Sequence, residues 1–171
     1  MALMSRKRWI IEAAIVVTIV TVSIFLFFTL SAPHLILKNG DTGEVIKAFP
    51  VKNGEEFSVT FVHSVNQTPV TDVYQIRSDG IYVVRTIYYA FGAGVQTELE
   101  EGQTLEYGPD GSMIVSGFHR RMDRLSYIVG TVSDHILQID GETLSLRELC
   151  GRNTTVRLVK GRRVVPFFER K

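Results

Sequence analysis

The sequence predicts an all-β domain, a small sandwich or partly open barrel, preceded by one N-terminal transmembrane helix. Three observations lead there. One long apolar run occupies the N-terminus. Short runs rich in Val, Ile, Phe and Tyr fill the rest of the chain. Gly-containing turn pairs separate those runs at short intervals.

Trp9 to Leu30 is a run of 22 residues with a single charge, Glu12. At 1.5 Å per residue such a helix reaches about 33 Å, enough for the ~30 Å hydrocarbon core of a bilayer. Arg6, Lys7 and Arg8 precede it and Trp9 suits the interface. Basic residues before a first span favour an N-inside orientation. Lys38 and Lys47 weigh little against them, because they belong to a long domain. The run has no polar face, so it does not suit a soluble core. A cleaved signal peptide would carry a shorter apolar stretch of roughly 7–15 residues and a small-x-small site. Here the candidate site near Ser31-Ala32 is followed by Pro33. The expected organisation is a cytoplasmic N-terminus over 1–8, a transmembrane helix over 9–30 and an extracytoplasmic β-domain over 33–171. The protein is expected to cross the cell membrane once.

The turn signals after Pro33 are Asn39-Gly40, Asn53-Gly54, Asp79-Gly80, Gly108-Pro109-Asp110-Gly111, Asp140-Gly141 and Lys160-Gly161. Asn-Gly and Asp-Gly favour the positive-φ turns of hairpins. Strands are expected near 34–38, 44–49, 56–63, 70–77, 80–89, 103–108, 111–116, 124–130, 134–140, 143–146, 154–159 and 162–168. Phe57, Val59, Phe61 and His63 share one face of their strand, and Ser58, Thr60 and Ser64 the other. Leu125, Tyr127 and Val129 alternate with Ser126, Ile128 and Gly130, which predicts a central strand. Thr143 to Leu149 has the makings of one short helical turn.

Composition narrows the function. Formal net charge is +1. Setting aside Arg6, Lys7, Arg8 and Glu12 leaves 16 basic and 17 acidic side chains, so nothing draws the domain to nucleic acid. The one cysteine, Cys150, excludes an intramolecular disulfide. Leu146 to Gly151 resembles a lipidation box but lies far from the N-terminus, so Cys150 reads as a small core residue. His34, His63, His119 and His135 show no metal-ligand spacing, and neither a metal nor another cofactor is expected.

The most informative stretch runs from Phe61 to Tyr74. A strand enters, a short loop turns, and a second strand leaves. If His63 faces Val70, Asp72 is its diagonal neighbour, about 7–8 Å away at the backbone and within side-chain reach. A half-buried His63–Asp72 pair would then fix the hairpin. A Ser64–His63–Asp72 hydrolase is disfavoured, because adjacent strand residues point to opposite faces and no G-x-S-x-G elbow occurs. Gly92-Ala93-Gly94 lacks the third glycine and the following helix of a phosphate loop. It reads as a strand end with close backbone approach, a place that also admits ligands or partners. Glu98, Glu100, Glu101, Glu106 and Asp110 match no calcium loop. Arg120, Arg121, Arg124 and the basic stretch from Arg152 to Lys171 fit either anionic headgroups or charged guards of an edge strand.

Four segments together resemble a bacterial family of small membrane-tethered proteins of unknown function. They are Val62-His63-Ser64-Val65, Pro69-Val70-x-Asp72, Phe91-Gly92-Ala93-Gly94 and Arg124-Leu125-x-Tyr127. The resemblance covers roughly 33–160. Asp72 stands where the family carries Glu, and Gln96 stands where a proline is expected after Gly-Ala-Gly and one apolar residue. Members of that family are often encoded beside TAXI-type TRAP transporters, which combine a solute-binding protein with a permease. The resemblance thus implies a non-enzymatic accessory protein that docks the permease or the solute-binding protein. The alternative is an extracytoplasmic module that binds or senses a small molecule. The candidate contact residues are His63, Ser64, Asp72, Gly92, Gly94 and Arg124, with none expected to be catalytic.

Overall fold

The computed structural model describes residues 6–90 and 98–164. The chain begins with helix α1, Arg6–Leu30. Within it, Arg8–Phe27 is 20 residues long and apolar enough to cross a membrane, by length and composition. From Trp9 to Phe27 its large apolar side chains are exposed, as a lipid-facing helix requires. Its few polar groups are paired locally. Glu12 accepts from Arg8 one turn earlier, at 3.2 Å. The Thr18 and Thr21 hydroxyls donate to the carbonyls of Ala14 and Val17, at 2.9 and 2.8 Å. Such back-bonding hides a hydroxyl from hydrocarbon.

Among the described residues eleven strands follow. They are β1 (Ser31–Asn39), β2 (Val45–Pro50), β3 (Glu56–Val62), β4 (Pro69–Arg77), β5 (Gly80–Tyr88), β6 (Thr104–Tyr107), β7 (Met113–Ser116), β8 (Leu125–Ile128), β9 (His135–Ile139), β10 (Glu142–Ser145) and β11 (Thr155–Val164). A short helix α2, Leu146–Cys150, lies between the last two strands. Four strands form one sheet in the order β2-β1-β11-β8, and seven form another in the order β10-β9-β3-β4-β5-β7-β6. The sheets do not close on themselves, which makes the domain a sandwich.

Alternation explains the core. Leu35, Leu37, Val156 and Leu158 meet Phe57, Val59, Tyr74, Leu137 and Ile139 in one buried cluster. Val70, Tyr88, Met113 and Val115 form a second, and Phe118 packs against both. Burying each Leu, Val or Phe contributes roughly 1.5–3 kcal/mol. This is the period-two pattern that predicted the strands.

Two expectations about strands fail. Lys160-Gly161 is no turn, and β11 runs straight through it. A Cβ on Gly161 would sit 2.7 Å from Ile36 Cδ1, so this glycine admits a side chain from the neighbouring strand. The strand expected at 124–130 is also not central. β8 is the edge of the four-stranded sheet, and its Ile128 is 68 % exposed. Its apolar residues misled because an exposed aliphatic on an edge looks like a buried one in sequence.

The short helical turn exists. Ser145 caps α2, its hydroxyl accepting from Glu148 N at 3.0 Å while donating to Asp134. Ser145→Ala is expected to lower stability by about 1–2 kcal/mol, read as a reduced urea midpoint at unchanged slope.

Candidate functional site

The β3–β4 hairpin pairs Phe61 with Val70 and Val59 with Asp72. The expected facing of His63 and Val70 is therefore displaced by two residues, and the His63–Asp72 pair does not form. His63 closes the loop instead. Its N–H donates to Thr68 O and its carbonyl accepts from Gln67 N, both at 2.9 Å. Its Nδ1 accepts from the amides of Val65 and Asn66, at 3.3 and 3.4 Å. The imidazole thus does for this loop what an Asp or Asn side chain does in an Asx turn. Ser64 is exposed at the loop, and Arg124 is exposed just ahead of β8. Gly92 and Gly94 lie outside the described residues.

Asp72 faces inward between Val59 on β3 and Thr86 on β5. Thr86 Oγ1 donates to its Oδ1 at 2.8 Å. The hydroxyls of Tyr127 and Tyr74 approach its Oδ2, at 3.4 and 3.5 Å, and bond to each other. Tyr127 arrives from β8 in the opposite sheet, so one carboxylate collects groups from both layers. Burial pushes the Asp72 carboxyl up, while Thr86, Tyr127, Tyr74 and the charge of Arg120 hold it back. Burial also pushes both tyrosines up, with Asp72 adding to it, so they stay protonated donors.

His135 completes the group. It pairs with Phe61 across β9 and β3, and their rings stack at 5.2 Å between centroids. Tyr127 lies tilted against it at 5.4 Å. Burial pushes the imidazole pKa down, so it is neutral at physiological pH. Its Nδ1 is buried and has no hydrogen-bond partner among the described residues.

Of the candidate contact residues that lie among the described residues, only Asp72 stands in this cluster. Thr86 lies across the β4–β5 hairpin that Asp79-Gly80 signals, whereas Tyr127 and His135 come from strands whose pairing no local pattern reveals. The one signal was a tyrosine at an inward position, Tyr127, where an aliphatic would pack as well. The arrangement can store a proton on a shielded carboxyl and lock the two sheets together. Ser64 and His63 stay in the β3–β4 loop while Asp72 lies opposite Val59, so these three do not come together. Among the described residues no group of three His, Cys, Asp or Glu could hold a metal. A separate depression of about 420 Å³ lies on the opposite face of the seven-stranded sheet. It is lined by Ser58, Val73, Gln138 and the Glu56–Arg85 ion pair.

The raised Asp72 pKa fixes the sign of a pH effect. The folded state binds this proton more readily than the unfolded chain, so ionising Asp72 opposes folding. Its contribution is favourable at low pH and is lost as pH rises from the unfolded value through the folded one. Asp72→Asn removes that dependence. The stability of the wild type relative to Asp72→Asn is expected to grow on acidification, measured by urea unfolding across pH.

Comparison with known proteins gives one result. A family model described as a domain of unknown function (DUF1850) matches residues 57–146, just over half of the 171-residue chain. The match runs from β3 to the start of α2 and so contains the whole Asp72 cluster. No curated protein and no solved structure matches.

Proposed function

We propose, for a chain that belongs to the DUF1850 family of unknown function, the role of a non-enzymatic, membrane-anchored accessory protein of a TAXI/TRAP-type solute transport system. The β-domain lies on the extracytoplasmic side in this reading and docks the permease or the solute-binding protein. One observation carries it: the helix that holds a candidate span passes at Leu30–Ser31 straight into the first strand of a β-sandwich. Such a tether raises the local concentration of the domain beside any membrane partner, so a weak docking surface suffices. Arg6, Lys7 and Arg8 ahead of the span support the N-inside orientation. The non-enzymatic part is supported by Asp72, Thr86, Tyr74 and Tyr127, whose polar groups bond to one another. The transporter part rests on the sequence resemblance. Crosslinking in intact cells, followed by detergent pull-down and mass spectrometry, tests it. A permease or solute-binding subunit should be recovered; recovery of neither would sink the transporter assignment.

A second reading is a small-molecule sensor, favoured by the unpartnered His135 Nδ1 beside the Asp72 hydroxyl cluster. Binding at a hundredfold excess over Kd would add about 2.7 kcal/mol to stability. A thermal-shift screen of organic acids and amino acids with no responder would remove this reading.

A further inference from the structure

We propose that the outer face of the four-stranded sheet docks on the anionic headgroups of a phospholipid bilayer. The four strands contain Lys38, Lys47, Arg157, Lys160, Arg162 and Arg163 and no Asp or Glu, in a chain whose 19 basic and 18 acidic side chains nearly cancel overall. Three of these cations are committed elsewhere, Arg162 among them, since it donates to the hydroxyl and carbonyl of Ser31. Lys47 pairs with Glu142 at 2.7 Å, and Lys160 donates to the carbonyls of Arg77 and Ser78.

The outward cations follow from the register. Val156 and Leu158 are buried, so Arg157 points away from the core, opposite Ser126 on β8. Leu37 is buried, so Lys38 also points outward, paired with Val45 on β2. The bond from Gly40 N to Thr155 O aligns β1 with β11 and brings Lys38 alongside Arg157. Arg124, exposed, stands just ahead of β8. None of Lys38, Arg124 and Arg157 has an ion-pair partner among the described residues. The nearby acids are in turns: Asp41 and Glu44 follow β1, and Asp123 pairs with Arg121.

Charged guards belong on edge strands. Lys38 and Arg157 lie on β1 and β11, the two interior strands of the sheet, where like charges side by side are unfavourable without a counter-charge. Exposed aliphatics accompany them: Ile128 at 68 % and Val45 at 45 %. Cations interspersed with aliphatic side chains suit the headgroup boundary, where each basic residue and each buried methylene adds to binding. The bilayer is favoured over an acidic protein because Lys38 is only eight residues beyond Leu30, within about 30 Å of the helix end even when fully extended. This inference rests on the membrane-anchored reading and is independent of the transporter partner.

The test uses the full chain with Ser126→Cys carrying a fluorophore in a Cys150→Ala background. It is reconstituted into nanodiscs of phosphatidylcholine alone or mixed with phosphatidylglycerol, each doped with headgroup spin-labelled lipid. Quenching should rise severalfold with phosphatidylglycerol and fall at high salt, as screened charges do. Lys38→Gln and Arg157→Gln should each weaken docking roughly fivefold, with near-UV circular dichroism unchanged. A chain that enters the discs but shows equal quenching in both lipids overturns the proposal and leaves the anchor standing. A chain that enters neither disc overturns the anchor and the proposal together.

Discussion

Leu137→Ala is expected to destabilise the β-domain by about 2–5 kcal/mol. Leu137 is fully buried on β9, where it pairs with Val59, which in turn faces Asp72 across β4. Truncation removes three carbons at the point where both sheets meet, and a close-packed interior cannot collapse to fill the gap. For a domain of this size the midpoint of thermal unfolding should fall by about 10 °C. Leu149→Ala, at a site 39 % exposed, is the matched control and should change it by less than about 3 °C. An equal loss at both sites would mean that the two sheets do not pack as described.

Gly117→Val is the second large effect, and its cause is backbone and not core volume. Gly117 has φ of 87°, and a Cβ there would lie 2.3 Å from the carbonyl oxygen of Gly102. A β-branched residue meets both a forbidden conformation and a backbone atom that cannot swing aside, for a loss of roughly 3 kcal/mol or more. Gly111 has a similar φ, 82°, with nothing within 4 Å of the same position. Gly111→Ala should therefore lose only about 1 kcal/mol. The comparison separates clash from conformation. Gly117 also begins the crossing from β7 to β8, so its replacement should disturb the delivery of Tyr127 to Asp72. That is measurable as a loss of the pH-dependent stability difference between wild type and Asp72→Asn.

The sequence showed well those features whose cause is local. The apolar run from Trp9 to Leu30 needed only its length, and Phe57-x-Val59 needed only its period. The hairpin at Phe61 to Tyr74 was found, but its register was two residues out. Loop closure by His63 could not be seen, because it depends on an imidazole taking up the amides of Val65 and Asn66. Gly161 reads as a turn beside Lys160, and only the approach of Ile36 from a strand more than a hundred residues away explains it. The candidate site divides the same way. Asp72 stood out as a charge in an apolar strand. Its partner Thr86 is 14 residues away across a hairpin with a readable turn, while Tyr127 is 55 residues away and reaches it only through sheet topology.

The neighbouring positions of β1 and β11 bear on how the domain is made. Gly40 and Thr155 are hydrogen-bonded although 115 residues separate them in sequence. The smaller sheet therefore cannot assemble in full until β11 has been synthesised. Such non-local closure is slow and comes late. Until then the inner face of the larger sheet, Asp72 included, stays open to solvent and to chaperones or proteases. A chain cut short before Thr155 should persist as an unfinished half-sandwich, which makes arrival of β11 a checkpoint on the joining of the two sheets.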